Sequence, residues 1–194
     1  LLHAATPPTG RMVLVNGFDA TVTTKAGSFA LTSQQYAPNV ISPDGATRLA
    51  AFEAMPWPRW EYALPGGARI VQEIVVRRGS PLTAVTWRCT GTRGTATLRV
   101  RPFFSGRDYH SMHHENTAFR FDPERGEHAY TWRPYDGVPE IVVGTNGTYR
   151  HAPDWYRNFE YQEERHRGLD CIEDLATPGL FEWDLSGGEA VWLL

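Results

Sequence analysis

The chain has 194 residues, of which 41% are apolar and 21% charged, and a net charge of −3. This composition excludes a disordered polymer and a broad electropositive footprint for nucleic acid. No apolar run approaches the ~20 residues of a membrane-spanning helix, so neither nucleic acid nor a membrane is an expected partner.

A chain of this length predicts a single domain over residues 1–194 with a core large enough to need no disulfide staples. Eighteen Gly and fourteen Pro make many turns, and seven Trp, eight Tyr and nine Phe add a heavy aromatic load. Together they point to a β protein. Cys89 and Cys171 have no spacing that suggests a pair and read as small packed hydrophobes in a reducing, cytoplasmic compartment. The chain opens on Leu1-Leu2-His3 without an initiator Met or a signal peptide and closes on strand-like Trp192-Leu193-Leu194. It is therefore expected to be a piece of a longer protein.

In chain order, Met12 to Val15 reads as a strand stopped by the turn dipeptide Asn16-Gly17. Thr21 to Thr24 and Phe29 to Thr32 flank a second turn at Lys25-Ala26-Gly27. Residues 36–67 carry five prolines among Phe52, Met55, Trp57, Trp60 and Tyr62. With so many missing N–H donors they read as mostly irregular chain, outside any central sheet, whose loops display large rings. Residues 68–104 give the clearest alternation. Ala68 to Val76 is rich in β-branched residues. Leu82, Ala84, Val85 and Trp87 oppose Thr83, Thr86 and Arg88. Ala96, Leu98, Val100 and Pro102 oppose Thr95, Thr97, Arg99 and Arg101, leaving one wet face. Gly79 to Pro81 and Gly91 to Gly94 supply turns.

Beyond Phe103, short strands are predicted at Phe119 to Phe121 and Ala129 to Trp132. A hairpin is predicted where Ile141 to Val143 meets Tyr149 through Asn146-Gly147, a turn that also matches a glycosylation sequon. Residues 151–179 are poor in β-branched residues and rich in carboxylates, and they predict one short helix or turn broken at Gly168 and ended by Pro178-Gly179. Strands at Phe181 to Leu185 and Ala190 to Leu194 close the chain. About a dozen strands without a βαβ rhythm predict an all-β antiparallel sandwich with long Pro- and aromatic-rich loops and at most one or two short helices. No phosphate-cradling glycine motif and no Gly-x-Ser-x-Gly elbow is present.

Four constellations can carry chemistry. The acids Glu160, Glu163, Glu164, Asp170, Glu173 and Asp174 include the pair Asp170 and Glu173, neighbours on one face if the segment is helical, and glycoside hydrolysis uses two facing carboxyl groups. The plain alternative pairs them with Arg165 and Arg167. His110, His113 and His114 have the residue type for zinc but lack a fourth ligand at a suitable spacing, and they read as a surface loop, so no metal or cofactor is expected. Arg107-Asp108-Tyr109-His110 reads as an Arg–Asp pair that either holds a polar ligand or pins a loop. The rings of Trp57, Trp60, Tyr62, Trp155 and Tyr156 suit the apolar faces of sugars, or else cap a core.

Several segments, taken in order, resemble one family. They are Leu2-His3-Ala4-Ala5 with Pro7-Pro8 and Gly10-Arg11; Phe52 with Pro56-Trp57-Pro58-Arg59-Trp60-Glu61-Tyr62; Arg101-Pro102-Phe103 with Arg107 to His110; and the long run from Tyr161 to Leu175 with Pro178-Gly179. The last has the form Tyr-x-x-Glu-x-x-Arg-Gly-Leu-Asp-x-x-Glu-Asp-Leu-x-x-Pro-Gly. Together they resemble the N-terminal domain of bacterial and archaeal-type glycogen debranching enzymes of the amylo-α-1,6-glucosidase type. The resemblance implies an antiparallel β super-sandwich followed, after residue 194, by an (α/α)6 barrel. That barrel would carry the catalytic acids for α-1,6 branch linkages and act as this domain's partner. It also implies a Gly-rich stretch and an Arg-Tyr-His-Gly segment upstream of Leu1.

On that reading the chain itself holds no catalytic residue and is an accessory domain that supports the barrel and contacts α-glucan. Trp57, Trp60, Tyr62, Arg107, Asp108, His110, Trp155 and Tyr156 are its candidate sugar contacts. Glu164, Arg167, Asp170, Glu173 and Asp174 are its candidate border with the barrel. The competing expectation is a self-standing carbohydrate-binding module or small enzyme using the His110–His114 or Asp170–Asp174 groups.

Overall fold

A computed structural model describes residues 1–6, 10–91 and 94–194. Pro7, Pro8 and part of the Gly91–Gly94 turn lie outside the described residues. The strands are β1 (Leu2–Thr6), β2 (Gly10–Thr24), β3 (Gly27–Ala30), β4 (Ser33–Tyr36), β5 (Val40–Asp44), β6 (Leu49–Glu53), β7 (Arg59–Ala63) and β8 (Arg69–Arg77). They continue as β9 (Leu82–Thr90), β10 (Thr97–Asp108), β11 (Glu124–Arg125), β12 (Ala129–Trp132), β13 (Ile141–Thr145), β14 (Thr148–Glu160), β15 (Ile172–Asp184) and β16 (Ala190–Leu193). A 3₁₀ turn at Ala46–Arg48 and one short helix, α1 (Gln162–His166), are the helical pieces among the described residues.

The strands form two antiparallel sheets. One runs β1-β2-β10-β15-β14-β4-β5 with β3 hung on β2, and the other runs β11-β12-β13-β16-β9-β8-β7-β6. Their inner faces meet through large rings, with Phe18 of the first sheet edge-on to Trp87 at 5.5 Å and Trp192 at 5.8 Å, and Phe104 edge-on to Trp132 at 5.5 Å. Such pairs add specific geometry to the burial of apolar area. The all-β sandwich expected from alternation is present, and Ala96, Leu98, Val100 and Pro102 point into it as predicted.

The local expectations fail where long-range pairing competes. In β9 it is Thr83, Val85 and Trp87 that are buried, while Leu82 and Ala84 turn outward. β2 does not stop at Asn16-Gly17; it continues as a 15-residue strand whose register against β10 shifts there, with Phe103 opposite Gly17 and Phe104 opposite Val15. A bulge absorbs the turn-prone pair, because a whole ladder of hydrogen bonds outweighs one dipeptide's preference. Residues 36–67 contain β5, β6 and β7 rather than mostly irregular chain, and the prolines are accommodated by position. β5, which holds Pro43, and β6 are the outermost strands of their sheets, where a missing donor is tolerated.

Residues 119–121 form no strand. Residues 151–179 are dominated by β14 and β15, each of thirteen residues, and Gly179 lies inside β15 rather than ending an element. Asn146-Gly147 makes no hairpin, because β13 and β14 belong to different sheets. It is a corner. The Asn146 amide donates to Glu189 O at 2.8 Å, and its oxygen accepts from Trp183 Nε1 at 2.8 Å and from Val191 N at 2.9 Å. Glycine is needed at 147 because a Cβ would lie 2.4 Å from the Trp183 indole nitrogen.

Candidate functional site

The conspicuous polar assembly is built around Glu173 of β15, whose side chain is 0% exposed although it is a carboxylate. A buried charge is tolerated only when paired and fully hydrogen-bonded, and this one is. Arg107 at the end of β10 grips it bidentately, Nε to Oε2 at 2.7 Å and a terminal nitrogen to Oε1 at 3.2 Å. Asn16 donates to Oε1 at 2.9 Å, the His113 backbone N–H donates to Oε2 at 3.1 Å, and the Tyr161 hydroxyl donates to Oε1. One carboxylate thus ties β2, β10, the segment after β10 and the end of β14. Burial, and then the Glu173 charge, push the Tyr161 hydroxyl pKa upward, so it stays a donor.

The neighbouring acids do the same work. Asp174 accepts from Asn158 N at 3.0 Å and Glu115 N at 3.1 Å. Glu160, also buried, accepts from Asn39 N at 2.9 Å and pairs with Arg165. Above this base stands the excursion 161–171, closed at its neck by Tyr161 N to Cys171 O at 2.9 Å. It holds α1, which has no buried residue. Gly168, at φ 72°, ends α1 by sending its N–H to Arg165 O and placing the Leu169 N–H on Glu164 O, both at 3.0 Å. This is a Schellman stop, which needs the left-handed conformation that glycine adopts at no steric cost.

Of the predicted border residues, Glu173 and Asp174 form the base. Glu164 and Arg167 lie on the excursion, 3.5 Å apart, and Asp170 is exposed on its descending limb. The expected helical pairing of Asp170 with Glu173 is therefore overturned: one is in a loop and the other in a strand. Arg107 does not pair with Asp108, since its guanidinium is taken by Glu173, while Asp108 accepts from His110 N at 2.9 Å and pins the turn. The His110 ring is exposed and meets Tyr109 edge-on. Sequence reasoning missed Asn16 and Tyr161 as carboxylate donors, because no local pattern links residues 16, 107, 113 and 161.

The histidines form no metal site: no group of three or more His, Cys, Asp or Glu able to hold an ion occurs among the described residues. His113 is not on a surface loop but buried, its Nδ1 2.9 Å from Asp174 O and its Nε2 2.7 Å from the Tyr135 hydroxyl. A neutral ring satisfies both, Nδ1–H donating to the carbonyl and Nε2 accepting from the phenol, which itself accepts from Asn116. Burial is the main cause of a lowered His113 pKa. The unfolded chain then binds the extra proton first, so this contribution to stability is complete above about pH 6.5 and is lost as pH falls toward the folded-state pKa, by at most about 1.4 kcal/mol per pH unit. Urea denaturation between pH 7.5 and 5 is expected to show this slope in the native chain and its loss in His113→Gln.

The predicted ring set is split between the two sheets. Trp60 and Tyr62 are on β7, with Tyr62 buried and Trp60 against Phe52 at 5.2 Å. Trp57 alone is on an exposed loop, its indole N–H donating to Glu73 at 3.0 Å. Trp155 and Tyr156 lie on β14, not on a loop. Trp155 packs on His113 at 5.3 Å and Phe119 at 5.5 Å, and Tyr156 on Phe103 at 5.1 Å. Trp57→Ala is accordingly expected to change stability by no more than about 1 kcal/mol, against about 3–5 kcal/mol for the buried Trp132→Ala, measured by urea denaturation. Cys89 and Cys171 are free thiols.

The model of the family "Glycogen debranching enzyme N terminal" matches residues 1–192. No curated protein and no solved structure matches the chain. The match covers both sheets, the carboxylate base and the excursion above it, and so the chain belongs to the family of glycogen debranching enzyme N-terminal domains.

Proposed function

We propose that this chain is a non-catalytic accessory domain that supports an (α/α)6 catalytic barrel acting on α-1,6 branch linkages, and that it contacts α-glucan. The observation that carries this is the excursion 161–171, exposed over most of its length yet clamped at its base by a buried, five-donor carboxylate. A loop held this firmly is pre-organised, so a partner that meets it spends little entropy on ordering it. Glu164, Arg167 and Asp170 are the residues offered to the barrel. The two buried glutamates, Glu160 and Glu173, are committed to structural donors, which supports a role without acid–base chemistry. The free thiols suit a reducing, cytoplasmic setting. No helix among the described residues is long and apolar enough to cross a membrane.

The test uses two arms. The chain alone, incubated with glycogen, is expected to release no glucose or oligosaccharide. Charge reversal at Glu164, Arg167 and Asp170 is expected to leave the domain's stability within about 0.5 kcal/mol per substitution, while weakening its association with the barrel-bearing polypeptide in pull-down. Sugar release by the chain alone, or association untouched by the reversals, overturns the reading.

A further inference from the structure

The first sheet should present a wet outer face beside β14, yet it holds an open cleft of about 550 Å³. Asp19, Tyr36, Asp154, Trp155, Tyr156 and Arg157 line it. The volume is within the ~300–1,000 Å³ of small-molecule clefts.

The strand that supplies four of these residues is irregular at this place. The pairing of β14 with β15 shifts register between His151 and Asp154 and again between Tyr156 and Phe159, bracketing Asp154–Tyr156. Asn158, just beyond, has φ 65°, a left-handed conformation uncommon for a residue with a side chain. Bulges re-aim side chains, and paired bulges around one short stretch of strand mark a position shaped for more than sheet pairing. Beneath it, Tyr36, Phe103, Tyr156, Phe159 and Leu175 form a second small apolar cluster, separate from the core between the sheets, which gives the cleft a fixed ring-lined side.

The polar groups favour a neutral, hydroxyl-bearing ligand. Asp19 takes the Gln34 amide at 3.0 Å and the Thr32 hydroxyl at 3.2 Å, both on Oδ1. Asp154 takes Trp155 N at 2.8 Å on its Oδ1. No hydrogen bond from a described residue reaches Oδ2 of either, so both keep acceptor capacity. Two cations flank them: Arg157 donates to Glu115 and to Trp155 O, while Arg101, opposite Asp19 on β10, holds its guanidinium 5.5 Å from the Tyr156 ring centre and acts on Asp19 by its charge. Burial raises the Asp19 pKa above its ordinary value, the mark of a carboxylate short of water. Spare carboxylate acceptors beside a guanidinium and rings suit hydroxyls, which both donate and accept, on an apolar ring, and the two carboxylates Asp19 and Asp154 disfavour phosphate or carboxylate.

We propose that this cleft binds glucosyl units of an α-glucan chain, the sugar packing against Tyr36 and Tyr156 and donating hydroxyls to Asp19 and Asp154. This rests on the glucan contact proposed above and moves it away from Trp57 and Trp60. Titration calorimetry of the chain with maltoheptaose is expected to show saturable binding. Asp19→Asn and Asp154→Asn, which keep shape, are expected to weaken it several-fold each, about 1 kcal/mol, and Tyr156→Leu about tenfold. Near-ultraviolet circular dichroism of each variant establishes that it is folded, and the two Asn variants carry the test if Tyr156→Leu unfolds. Binding that survives all three substitutions but is lost in Trp57→Ala overturns this site and leaves the glucan contact standing. No binding of maltoheptaose overturns both. Saturable binding of spermidine in its place identifies a cation site and overturns the sugar.

Discussion

Glu173→Ala is expected to destabilise the chain by about 3–5 kcal/mol, a fall of roughly 6–20 °C in melting temperature for a domain of this size. The reason is less the lost attraction than what is left behind. The Arg107 side chain is only 12% exposed, so removing its partner strands a guanidinium in a poorly hydrated place. The Asn16 amide, the His113 N–H and the Tyr161 hydroxyl lose their acceptor at the same time. A buried donor without a partner costs about 1–3 kcal/mol of desolvation. Pairing the substitution with Arg107→Met removes the stranded charge, and the double variant is expected to recover at least about 1 kcal/mol over Glu173→Ala, read as a thermodynamic cycle from urea denaturation. A single substitution costing under about 1 kcal/mol would mean that water reaches the carboxylate in solution.

Gly179→Ala is expected to cost about 4 kcal/mol, from backbone and packing terms of ~1–3 kcal/mol each. Gly179 lies mid-strand in β15, opposite His151, with φ 155°. A Cβ there would sit 2.2 Å from Arg150 O and 2.8 Å from Ala152 N. Both are backbone atoms of a paired strand and cannot swing aside as a side chain would. The adjoining contacts make the region stiff: Tyr149 donates its hydroxyl to Pro178 O at 2.8 Å, and Thr177 donates to Gly179 O at 3.1 Å. Gly187→Ala is the control, since nothing lies within 4 Å of its Cβ position and its φ is ordinary. It is expected to stay within about 0.5 kcal/mol, and equal midpoints for the two variants would show that β14 and β15 separate more easily than their register implies.

The pairing of Glu173 with Arg107, and the failure of the helical pairing with Asp170, have one origin. A carboxylate in an acid-rich stretch looks solvated when only its neighbours in sequence are visible. Its partners here come from 66 residues upstream for Arg107 and 157 for Asn16. The ring set divides for a similar reason: Trp57, Trp60 and Tyr62 sit near the edge of one sheet, and Trp155 and Tyr156 inside the other. The cleft residues Asp19 and Tyr36 carried no local sign at all.

Alternation and turn residues were enough to establish an antiparallel sandwich and the inward row of Ala96, Leu98, Val100 and Pro102, because these depend on spacing along the chain, while the family rested on the resemblance of ordered motifs such as the run from Tyr161 to Gly179. Which strand a residue joins, and so whether Asn16-Gly17 turns the chain or bulges within a strand, whether Asn146-Gly147 makes a hairpin or a corner, and whether Glu173 meets water or Arg107, was decided by the tertiary structure. The physical reason is that a ladder of interstrand hydrogen bonds and a packed aromatic core are worth many times one dipeptide's preference, and they are set by residues far away in sequence.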